Sequence, residues 1–123
     1  MPIVQCSSGR SAKYAKKFDR VTVITTFDCE NKGLAKSNSA TYAVFLNYIV
    51  MGGPVSISKI EVDKAKTEMS KGCWEADDCF FISPELSSQS KQTISVTSEV
   101  PASIDDKLLK DGQLFSLSLI GPN

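Results

Sequence analysis

The chain has no histidine, and only two arginines and one tryptophan among its 123 residues. Without histidine, Ser-His-Asp and Cys-His arrangements are excluded, as are metal sites that depend on imidazole. Arginine is the side chain that grips phosphates in a bidentate fork, and Arg10 and Arg20 leave few such clamps. Long apolar runs are also missing. The longest, Ala43 to Met51 (AVFLNYIVM), is broken by Asn47 and is strand-sized, well short of the roughly 18 residues that a membrane span needs. No charge is in excess: 14 Lys and Arg balance 14 Asp and Glu, which argues against a domain whose whole surface holds nucleic acid. The glycines form neither GxGxxG nor the phosphate-binding GxxxxGKS/T pattern. The start, MPIVQCSSGR, has no basic lead followed by an apolar stretch, so no signal peptide and a cytoplasmic origin are expected.

What is present is ordinary globular composition, 41% apolar and 23% charged. That fits a single domain spanning residues 1–123, long enough to bury a core without staples. Four cysteines occur, Cys6, Cys29, Cys73 and Cys79. An even count invites a disulfide framework, but the absence of a secretory signal weakens that expectation. Cys73 and Cys79 flank an acidic loop in KGCWEADDCFF. They read either as two small apolar residues at strand ends or as thiols at a hairpin tip that can cross-link a neighbouring copy. Zinc does not fit, because the spacing is not CxxC and no histidine completes a site.

Period-two alternation marks half-buried strands. Arg20 to Phe27 (RVTVITTF) is rich in β-branched residues. Tyr42 to Val50 places Tyr42, Val44, Leu46, Tyr48 and Val50 on one face, and MGGP then links it to VSISKIEV (Val55 to Val62) as a hairpin would. Lys91 to Val100 (KQTISVTSEV) sets Ile94, Val96 and Val100 on one face. Between them, DKAKTEMSKG reads as strand and loop. After Pro101, Ser103-Ile104-Asp105-Asp106 fits an S-x-x-D helix start. Ile104 and Leu108 lie on one side, Lys107 and Lys110 occupy the last turn, and Gly112 is a natural stop. The tail QLFSLSLIGPN alternates and suits an edge strand or docked arm. Such a short helix cannot hold alone and must pack on a sheet, its own or a partner's.

No catalytic constellation emerges, and an enzyme is not expected. Glu75, Asp77 and Asp78 lack the spacing of a calcium loop, so no cofactor or metal is expected. Nucleic-acid binding has two candidate surfaces. Arg10, Lys13, Lys16, Lys17 and Arg20 form a basic stretch with Tyr14 and Phe18 interleaved and Asp19 opposing; a solvated hairpin has the same look. Elsewhere, a regular pleat places Phe45, Asn47 and Lys59 on the face opposite Tyr42, Val44 and Leu46. An aromatic, an amide and a lysine can stack an unpaired base, bond its edge and neutralise a phosphate.

The order of segments resembles the coat proteins of small single-stranded RNA bacteriophages. The likeness is clearest in SKIEVDKAKT (Ser58 to Thr67), a strand running into a loop, and in SIDDKLLKDG (Ser103 to Gly112), a helix after the last strand. It implies an α+β fold: an antiparallel sheet with an N-terminal hairpin and a short C-terminal helix packed on the sheet of a partner subunit. It also implies interlocked homodimers that close into an icosahedral shell, assembled in a bacterial cytoplasm, with genomic RNA on the inner sheet face and no membrane. The RNA face would be Asn47 and Lys59, then Phe45, Thr93 and Ser95. In that family, paired cysteines in the loop between the last two strands link subunits, a position that Cys73 and Cys79 match. The family's second C-terminal helical segment has no counterpart here. The rival reading is a monomeric β-sandwich interaction or inhibitor module, with Cys73–Cys79 as an internal staple.

Overall fold

The computed structural model describes residues 4–34, 42–46, 55–71, 79–110 and 112–119. Their ten strands form two antiparallel sheets. The larger, six-stranded sheet is centred on β3 (Arg20–Asn31) and β9 (Lys91–Pro101), paired from Arg20↔Pro101 to Glu30↔Lys91. On the far side of β3, β1 (Val4–Cys6) covers its end and β2 (Arg10–Lys17) covers its start. β5 (Ser56–Val62) follows β9, and β6 (Ala65–Lys66) closes the edge. The smaller sheet runs β10 (Phe115–Leu119), β4 (Tyr42–Leu46), β8 (Cys79–Ile82), β7 (Ser70–Lys71).

Alternation explains the layers. Val21, Val23, Phe27 and Cys29 of β3, with Ile94, Val96 and Val100 of β9, are buried, while the residues between them are partly exposed. They form one cluster with Tyr42, Val44, Ile82, Leu114 and Phe115 from the second sheet and its approach. Both sheets therefore turn an apolar face to a common core, as in a β-sandwich. Four polar residues are buried with them. Thr25 shares a 2.8 Å hydroxyl contact with Ser11, and Ser98 Oγ donates to the Val23 carbonyl. Asn31 donates to the Leu86 carbonyl and accepts from the Gly33 amide, and Gln92 Nε2 donates to the Glu85 carbonyl.

The α+β expectation is overturned. The segment after Pro101 makes a single 3₁₀ turn, Asp106–Leu109, capped by Asp105, whose carboxylate accepts from the Lys107 amide at 2.9 Å. Ser103 does not start a helix; Pro101 is still in strand, and Gly112 turns away with φ +75°, so only one turn fits between. Nor does this segment need a partner's sheet. Ile104 is buried in the chain's own core, with Leu108 and Leu109 packed against it.

The expected hairpin of Tyr42–Val50 with Val55–Val62 is also corrected. β4 pairs with β8 and β10, whereas β5 pairs with β9 and β6, so these neighbours in sequence belong to different sheets. The MGGP turn and Asn47 to Val50 lie outside the described residues. Two other expectations agree with the fold. The tail forms the edge strand β10, and the 63–71 stretch is strand and loop.

Candidate functional site

The residues expected to hold RNA do not converge. Lys59, Thr93 and Ser95 are in the large sheet, on β5 and β9; Phe45 is in the small one, opposite Cys79 and Ser116. Asn47 lies outside the described residues. Thr93, Ser95 and Lys59 do share the outer face of the large sheet, since Ser95 stands opposite Thr26 and Glu61, and Lys59 opposite Thr97. That face offers a phosphate little. Lys59 Nζ lies 3.5 Å from Glu61, Arg10 lies 2.8 Å from Asp28, and Glu99 accepts from Thr22 Oγ1 at 3.1 Å. The cations there are already matched by carboxylates. The Thr93 amide is occupied too, donating to Asp63 Oδ1 at 2.9 Å.

The cysteines are arranged otherwise than expected. Cys6 and Cys29 stand directly opposite each other in the β1–β3 ladder and form a disulfide. Cys79 is 1% exposed and is itself disulfide-bonded, and Cys73 lies outside the described residues. A buried sulfur that is already bonded within one chain cannot reach out to a neighbour, which removes Cys79 as an inter-subunit link. The direct opposition of Cys6 and Cys29 had no signal in sequence, because their separation of 23 residues says nothing about register.

The feature that stands apart is the hairpin of β2 and β3. β2 is an edge strand, and every residue from Ala12 to Asp19 is exposed. The register slips between Lys13 and Lys16, so Tyr14 and Ala15 together face Thr22 in a bulge, which re-aims side chains along an edge. Tyr14 is 62% exposed. Lys17 and Arg20 close a two-residue turn, Phe18-Asp19, in which only Phe18 has positive φ, +56°. A left-handed first position is normally glycine's, because a Cβ there crowds the backbone. Phe18 is also 86% exposed. A bulky ring thus occupies a strained position and gains no burial from it. Strain of this kind persists where the surroundings impose it and is concentrated at functional sites.

The charge around the tip is one-sided. Lys13 Nζ reaches Asp106 of the 3₁₀ turn at 2.7 Å, and the Arg20 guanidinium donates to the Glu99 carbonyl. Lys16 and Lys17 have no ion-pair partner among the described residues. Lysines on an edge strand also guard it against pairing with other chains. That function explains Lys16 and Lys17 but gives no reason for Phe18 or Tyr14.

Comparison with known proteins is silent. The chain matches no family model and no curated protein. Among the described residues no three His, Cys, Asp or Glu side chains group as a metal site, and no helix is long and apolar enough to cross a membrane. The hairpin was legible in sequence as a basic stretch with interleaved aromatics. Its turn geometry, which singles out Phe18, was not.

Proposed function

We propose that the chain is a structural protein that assembles with copies of itself into a shell enclosing single-stranded RNA. The observation that carries this reading is the β2–β3 hairpin: an aromatic and basic contact surface on a sandwich whose core is otherwise closed. The likeness of SKIEVDKAKT and SIDDKLLKDG to RNA-phage coat proteins supports the same role. Subunits do not interlock through a helix, because the turn at 106–109 is packed on its own core. In a particle built in a bacterial cytoplasm, the disulfides close when it leaves that reducing compartment.

The test is the assembly state of the chain expressed alone in a bacterium, by gel filtration followed by negative-stain electron microscopy. Particles far larger than one chain, carrying RNA, are expected.

A second reading, a monomeric β-sandwich binding module, is favoured by Cys6–Cys29. A disulfide that staples an edge strand suits a small domain working in an oxidising compartment. On that reading the same experiment returns a stable monomer, and the hairpin engages a different protein.

A further inference from the structure

Resting on the assembly reading, we infer that the β2–β3 hairpin tip docks on an acidic surface of a second copy of this chain, with Phe18 as the anchor. Charge is segregated along the sequence. Residues 10–20 hold five cations and one anion, and the rest of the chain holds nine cations and thirteen anions. A chain of zero net charge is therefore divided into a basic hairpin and an acidic remainder, which attract each other between copies. Within one copy that attraction is only partly met, by Lys13–Asp106 and Arg10–Asp28. Lys16, Lys17 and the ring of Phe18 are left facing outward.

Two observations favour a second copy over RNA. Asp19 sits beside Phe18 at the leading end, where a polyanion would meet a carboxylate first, whereas a protein surface of mixed charge accommodates it. Zero net charge also gives no long-range pull toward a polyanion. An exposed aromatic ring with flanking cations has the composition of the buried anchors that dominate protein interfaces.

The contact has a consequence for symmetry. A basic hairpin on an acidic surface elsewhere is a heterologous contact, which continues from copy to copy and closes as a ring or shell rather than stopping at a two-fold dimer.

The test uses the full chain and two variants. Phe18→Gly removes the ring and relieves the positive φ, so it folds at least as well as the parent. Lys16→Glu with Lys17→Glu reverses the tip charge. Circular dichroism and thermal melting check folding, and light scattering across protein and salt concentrations, with and without nuclease, reads self-association. The expected result is folded variants whose self-association is weakened tenfold or more, with salt dissociating the parent. If the parent assembles and both variants assemble equally well, the docking inference is overturned and the shell reading stands. If nuclease dissolves the parent's particles and only the charge reversal weakens them, RNA occupies the tip and the inference fails. A parent that is monomeric throughout overturns both.

Discussion

The ring of Phe27 fills the space that a side chain on Gly9 would need. A Cβ on Gly9 would stand 2.8 Å from Phe27 Cε1 and from Thr25 Cγ2, closer than real Cβ atoms come. Both neighbours are buried on β3, and the Gly9 carbonyl accepts from the Gly112 amide at 2.8 Å. This close approach lets the chain step from β1 to β2 along one edge of β3 while the approach to β10 is tied to the same point. Gly9→Ala therefore forces the Phe27 ring off its place in the core. Its expected cost is about 1–3 kcal/mol, the usual range for overpacking. Urea unfolding reads it, and a double-mutant cycle with Phe27→Leu should show coupling, since the residues touch.

The Cys6–Cys29 disulfide closes a loop of sequence separation 23. In the chain-entropy account, a loop of that length contributes about 3 kcal/mol by restricting the unfolded chain. Replacing both cysteines by serine should lower the melting temperature, and β1 should lose amide-exchange protection first. A reducing agent should lower the parent's melting temperature by more than it lowers the variant's. Equal shifts would show that this bridge does not form in solution.

These two predictions mark what the sequence showed and where it stopped. Alternation placed Val21, Val23, Ile94 and Val96 on inward faces, because a period of two sets the face of every residue in a strand. It does not choose a strand's partner, so YAVFL and SISKIEV read as a hairpin although they pair into different sheets. The S-x-x-D pattern carried a local signal that a four-residue stretch cannot realise. With Pro101 still in strand and Gly112 left-handed, anchoring of Ile104, Leu108 and Leu109 to the core decided the geometry instead. For the site, basic and aromatic residues at 10–20 were visible, but the strain and exposure of Phe18 depend on which two residues the turn encloses. Cys6 and Cys29 were unreadable as a pair, since four cysteines allow three connectivities.

Tyr42 is buried at 2% exposure, and its hydroxyl has no hydrogen-bond partner among the described residues. Burial raises its pKa above the ordinary 10.0, because the phenolate is disfavoured away from water. The unfolded phenol then gives up its proton at a lower pH than the folded one. The stability linked to Tyr42 is thus fully present below pH 10 and is lost as pH rises through the folded pKa. Tyr42→Phe should flatten this alkaline loss in unfolding measured between pH 8 and 11. At pH 7 it should change stability by less than about 1 kcal/mol, since the hydroxyl it removes was making no bond.

The turn between β5 and β6 offers the opposite case, in which a residue is strained and its neighbour is needed. Asp63 and Lys64 are the two central residues, since Val62 pairs with Ala65, and both have positive φ, +50° and +70°. That is the pattern of a type I′ turn, whose favoured residues are Asn or Asp followed by Gly. Asp63 suits its position and does more: its amide donates to the Thr93 carbonyl and its Oδ1 accepts from the Thr93 amide, both at 2.9 Å. The pair of bonds fastens the turn to β9. Lys64 has no such bond and carries a Cβ where glycine has none. Lys64→Gly should therefore stabilise the protein by about 0.5–1 kcal/mol, the cost of holding an L-residue left-handed being about 1–2 kcal/mol and partly offset by glycine's freer unfolded chain. Asp63→Ala should destabilise by about 1–3 kcal/mol, because the Thr93 amide loses a charge-assisted partner. Denaturant midpoints of the two single variants and the double decide the matter. If Lys64→Gly and Asp63→Ala move stability in the same direction, the turn does not have this geometry in solution.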